Sequence, residues 1–109
     1  MVIGVVYADI SNLVATLQCQ YERALTFHEE AVQQYRDLNN KLGISDSLMN
    51  MGDIAKDRGD FKQSSALYHE CLALKKELGD RRGISRTTVR QATTALLQGD
   101  YPRARELAD

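Results

Sequence analysis

The chain has 109 residues, 43% of them hydrophobic and 27% charged, with a formal net charge of −1, a composition that fits one foldable unit and excludes a disordered segment. No run approaches the roughly 20 apolar residues that a transmembrane helix needs, and the apolar start, Met1 to Tyr7, has neither a basic flank nor a small-residue cleavage site. A cytoplasmic protein with no membrane partner is therefore expected, and the near-neutral charge argues against nucleic acid.

The charge is unevenly spread. Residues 1 to 60 carry five Lys and Arg against nine Asp and Glu, and residues 61 to 109 carry nine against six, so the two parts stand at −4 and +3. Arg81, Arg82, Arg86 and Arg90 fall within ten residues; such a cluster reads first as a solvated helix face. The two cysteines, Cys19 and Cys71, lack the CxxC spacing of a metal site or redox pair and read as small packing residues.

In chain order, the first predicted helix is Ile3 to Leu17. Val5, Val6, Ile10, Leu13, Val14 and Leu17 form its apolar set. Its apolar residues spread around most of the cylinder, which predicts packing on two sides. The second, Tyr21 to Leu38, is amphipathic, with Ala24, Phe27, His28, Ala31, Val32, Tyr35 and Leu38 at three- and four-residue steps. Asn39 closes it and Asn40 caps the next helix, because these residue types suit a left-handed terminus and an N-cap respectively. That next helix, to about Arg58, turns Ile44, Leu48, Met51, Gly52 and Ala55 to one face; Gly59 stops it.

Asp60 then caps Phe61 to Leu78, predicted to bury Phe61, Ser64, Leu67, Tyr68, Cys71, Leu72, Leu74 and Leu78 and to leave Lys75, Lys76 and Glu77 wet. Gly79 and Asp80 repeat the stop and the cap. The following helix is expected to pack through Ile84, Thr88, Ala92, Ala95 and Leu96 before Gly99, Asp100 and a first-turn Pro102 open a last helix of about eight residues. Gly43-Ile44-Ser45 returns as Gly83-Ile84-Ser85 and Gly59-Asp60-Phe61 as Gly99-Asp100-Tyr101, each forty residues on. A fixed period of this size marks repeats of a helix pair, here units 1–39, 40–79 and a short 80–109.

Gly52, Gly59-Asp60-Phe61, Ser64, Tyr68 and Cys71, with Ala92, Gly99-Asp100-Tyr101 and Ala104, fall at the small and aromatic positions of a tetratricopeptide repeat, which the chain resembles over nearly its whole length. Tyr21, Ala24, His28 and Ala31 match the second helix of the first unit, while Cys19 and Gln20 stand in place of its Gly-Asp turn. The forty-residue period exceeds the family's usual 34, as in the longer repeats of bacterial regulators and signalling ATPases, where such arrays form a sensing or docking arm. The resemblance implies an all-α, right-handed superhelix of antiparallel helix pairs, about two and a half repeats. It also implies a concave groove lined by the first helix of each pair. There the family's pattern places Met49, Asn50 and Asp53 from the second unit and Arg86, Val89, Arg90 and Thr93 from the third.

Asn50, Arg86 and Arg90 fall where repeats that grip the carboxylate ends of chaperone tails place an amide and two cations, although Asp9 and Leu13 replace the lysine and asparagine of that clamp. The implied partner is a protein or peptide with an acidic or carboxylate group. The alternative is an arm of a bacterial regulator or signalling ATPase that self-associates, as a homo-oligomer, through terminal helices whose faces lack polar caps. His28 and His69 are 41 residues apart and do not share a site, and no GxGxxG, P-loop, HExxH or GxSxG pattern occurs. A non-enzyme without cofactor or metal is expected.

Overall fold

The computed structural model describes the backbone of residues 2–108 and the side chains of residues 15–100 and 102–107. Over the described residues it is all-α, with five helices: α1 (Val2–Asp37), α2 (Lys41–Asp57), α3 (Phe61–Glu77), α4 (Arg81–Leu97) and α5 (Tyr101–Ala108). Each packs on the next in sequence to form an α-solenoid 59 × 38 × 19 Å in extent. The apolar set expected between Ile3 and Val14, the clamp positions Asp9 and Leu13, and Tyr101 lie outside the described side chains.

One junction recurs every twenty residues and sets the period. At Asn39, Gly59, Gly79 and Gly99 the backbone turns left-handed, with φ of 54°, 81°, 66° and 79°. Only residues that tolerate this region serve there. The amide of the following residue then reaches back to a carbonyl five positions earlier, as Asp60 N does to Ala55 O at 2.8 Å and Asp80 N to Lys75 O at 3.0 Å, which satisfies carbonyls the helix end leaves open. The same following residue caps the next helix: Asn40, Asp60, Asp80 and Asp100 accept from the amides of Gly43, Gln63, Gly83 and Arg103 at 3.0, 3.2, 2.9 and 3.3 Å. Three helices of 17 residues separated by three-residue junctions follow.

At positions 19 and 20 the chain has Cys and Gln instead. Cys has a Cβ that disfavours the left-handed turn, and the helix runs on. The two helices expected over residues 3–17 and 21–38 are therefore one helix of 36 residues, roughly 54 Å long at ~1.5 Å per residue, nearly the full length of the molecule.

The core lies between α1, α2 and α3 and contains Val32, Ile44, Leu48, Met49, Met51, Tyr68 and Cys71. The first-helix set foreseen for α2 is buried, with Ala55 fully so. A Cβ on Gly52 would lie 2.5 Å from the ring of the fully buried Tyr68, so the aromatic side chain occupies the space the glycine leaves. Ser64 Oγ donates to Gly52 O at 2.8 Å on the same seam.

Several assignments are corrected. Phe27 on α1 (66% exposed) and Leu38 in the junction after it (74%) stand in solvent, with no helix among the described residues over them. Leu78 and Leu96 are also exposed: Leu78 falls in a junction, and Leu96 lines an open hollow between α4 and Leu107 of α5. On α4 the buried set is Gly83, Thr87, Gln91, Thr94 and Ala95, which leaves Ile84, Thr88 and Ala92 half-buried. The threonines can face α3 because their hydroxyls bond within the helix, Thr87 Oγ1 to Gly83 O at 2.7 Å and Thr94 Oγ1 to Arg90 O at 2.9 Å, so burial strands no donor.

Candidate functional site

The groove residues expected on α2 and α4 meet where the two first helices approach. Arg90 Nε donates to Asp53 Oδ1 at 3.0 Å, joining α4 to α2 across 37 residues of sequence. The hydroxyl of Tyr68, from α3, donates to the same Asp53 oxygen. Burial, then the bond to Asp53, pushes the Tyr68 phenol far above its usual value, so it stays a donor at any physiological pH. Asp53, Tyr68 and Arg90 thus form one bracket across three helices.

Asn50 lies three residues before Asp53 on α2, and Arg86 four before Arg90 on α4. Both are one turn back on their helices, hence on the same sides as the bracketed pair. Both are exposed. Arg86 makes no ion pair within 4.0 Å among the described residues, whereas Arg90 is committed to Asp53. Met49 does not share this exposure: it is 8% exposed and belongs to the core, supporting the surface from beneath. Val89 (64% exposed) and Thr93 lie with Ile84, Ser85, Thr88 and Leu107 around a separate hollow on the side of α4 toward α5. The seven expected groove residues therefore divide among a bracket, its flanks, the core and a second hollow.

Lys75 is the feature that sequence reasoning missed. Read as a wet residue of a last turn, it is only 3% exposed. Its ammonium donates to Asp46 Oδ1 at 2.7 Å and lies 3.5 Å from Asp80 Oδ2. Its stem passes so close to Gly83 that a Cβ there would lie 2.6 Å from Lys75 Cδ. Burial pulls the ammonium pKa down, but the bonds and charges of Asp46 and Asp80 outweigh it and the net shift is upward. Forty residues earlier Tyr35 occupies the same place, its ring against Gly43. That pairing explains why both Gly-Ile-Ser segments begin with glycine, and it was the available signal: where Tyr35 is inward, Lys75 must be too.

The Asp80 carboxyl is held below its ordinary value of 3.8, first by the Gly83 amide and then by the bond and charge of Lys75, which together act against the opposing effect of burial. Cys71 is fully buried and its thiol pKa is raised by burial, so it is a packing residue rather than a nucleophile. Its Sγ contacts Ser45 O at 3.1 Å. Among the described residues no group of three His, Cys, Asp or Glu is placed to hold a metal, and no helix is long and apolar enough to cross a membrane.

Asp46 is matched by Lys75 and Asp53 by Arg90, while Arg86, on α4 beside the second pair, has no ion-pair partner within 4.0 Å among the described residues. The α2–α4 face can hold a carboxylate against one guanidinium and one amide. A family model described as tetratricopeptide repeat matches residues 8–77 and again 43–109. No curated protein matches the chain.

Proposed function

The chain belongs to the tetratricopeptide repeat family, whose units generally mediate protein–protein interactions, and from that premise we propose that it binds a peptide segment bearing a carboxylate across the α2–α4 face. Arg86 supplies the charge and Asn50 the amide. The observation that carries this reading is the Arg90–Asp53 bond at 3.0 Å. It joins the two helices, leaves Arg86 without an ion pair within 4.0 Å among the described residues, and gives Arg90 a positioning role.

A clamp made of both arginines is not supported by this arrangement. Arg90 spends its Nε on Asp53, so freeing it for a ligand means leaving a half-buried carboxylate shared only with Tyr68. Titration of an acidic peptide by fluorescence anisotropy tests the division of labour. Arg86→Ala is expected to weaken binding about tenfold, a loss of ~1.4 kcal/mol that lies near the lower end of the range for a hydrogen bond to a charged group, with little change in melting temperature. Arg90→Ala should lower the melting temperature instead. Unchanged affinity in Arg86→Ala removes the proposal.

A further inference from the structure

α3 and the second half of α1 are equivalent elements, forty residues apart, yet they are covered differently. On α3, Ser64, Tyr68 and Cys71 are all fully buried and Leu67 half-buried, with α2 lying antiparallel against them. The equivalent residues of α1 are Ala24, His28, Ala31 and Phe27. Phe27 is 66% exposed, and Ala24, His28 and Ala31 are each only half-buried. His28 Nδ1 is enclosed without a hydrogen-bond partner among the described residues, where Tyr68 has Asp53. The face of α1 is suited to an antiparallel first helix and has none over it among the described residues, because the turn that would fold residues 2–18 back is absent at Cys19-Gln20 and α1 is continuous there.

We infer that α1 pairs antiparallel with α1 of a second copy of this chain, each supplying the first helix that the other lacks. The register follows from the molecule itself. Gly52 against Tyr68 pairs positions whose numbers sum to 120; subtracting forty from each gives pairs that sum to 40. Position 2 then lies opposite position 38 of the second copy, so the two long helices overlap along their whole length about a twofold axis near Gln20. Position 12 then comes opposite position 28 of the second copy, as 52 stands opposite 68 within one chain.

The sequence of residues 3–14 is rich in apolar residues around the cylinder, as a helix covered on several sides requires. A second copy fits better than an unrelated helix because one symmetric contact covers both α1 faces and closes on itself, leaving neither of them open. Asn50 and Arg86 are on α2 and α4 and are not among the α1 residues of this contact, so separate variants test the two proposals.

Light scattering after gel filtration tests the pairing. The intact chain is expected to run as a dimer. Phe27→Glu, a change at a residue exposed within one copy, is expected to give a folded monomer, as judged by unchanged helical circular dichroism. Cys19→Gly with Gln20→Asp installs the junction used at 59–60 and 99–100 and is expected to give a closed monomer. Spin labels on Gln33→Cys, with Cys19 replaced by serine and Cys71 buried out of reach, should lie about 40 Å apart, twice thirteen residues at ~1.5 Å rise. A monomeric intact chain, a dimer that survives either variant, or labels near 10 Å, as side-by-side parallel helices would place them, overturns the inference.

Discussion

Lys75 offers the sharpest test of how the third and fourth helices are held. Its stem contributes three methylenes beyond Cβ to an interior in which the side chain is 4% exposed, and at ~0.8 kcal/mol per buried methylene they account for about 2.4 kcal/mol. The charge contributes less. Asp46 and Asp80 are 59% and 33% exposed at their side chains, so both carboxylates regain water when the ammonium is removed, and the ammonium's own desolvation cost disappears with it.

Lys75→Met keeps the stem and loses the charge; it is expected to cost about 1 kcal/mol. Lys75→Ala loses both and leaves a cavity beside Gly83, for a total of about 3 kcal/mol. Urea denaturation followed by circular dichroism reads both values, with equal slopes required for the comparison. If Met costs as much as Ala, the ion pair and not the packed stem carries the stabilisation, and the reasoning fails.

Other outcomes follow from the same geometry. Gln91 is 5% exposed and its Oε1 finds no partner among the described residues, whereas the equivalent Met51 lies in the core; Gln91→Met is expected to stabilise by about 1 kcal/mol in the same denaturation assay by removing an unsatisfied acceptor. Asp80 gives a pH dependence of known sign. Its folded-state pKa lies below the unfolded one, so the unfolded chain binds more protons on acidification. The stabilisation is present above the ordinary carboxylate range and is lost as the pH falls through the folded value. Asp80→Asn, which keeps a capping oxygen, should flatten the decline of melting temperature below about pH 4.

The punctuation of this chain was legible in its sequence because it depends on local chemistry. Asn39, Gly59, Gly79 and Gly99 are the residue types that turn left-handed, and Asn40 and the three aspartates after the glycines are the types that cap. Both functions act within a few residues, so spacing alone located them. The same grammar held the clue to the long helix, since Cys19 and Gln20 break it, but family likeness favoured a turn at that place over an uninterrupted helix.

Burial was less legible where polarity misleads. Thr87 and Thr94 pass as surface residues until their hydroxyls are seen to bond within α4, and Lys75 until its two carboxylates are in place. Phe27 and Leu38 mislead in the opposite direction, since periodicity identifies an apolar face without saying whether another helix covers it. The candidate groove suffered from a related ambiguity. Position within the repeat brought Asn50, Asp53, Arg86 and Arg90 to one seam, but pairing across helices decided that Arg90 is a bracket and Arg86 the open cation.

The most direct test of the binding account is a residue-by-residue map of peptide contact by nuclear magnetic resonance. On titration with an acidic peptide, the backbone amides of Asn50, Asp53, Arg86 and Arg90 are expected to shift together and saturate with one dissociation constant, while those of Phe27 on α1 and Leu38 just after it remain in place. Shifts confined to α1, or none on α2 and α4 at saturating peptide, would contradict it.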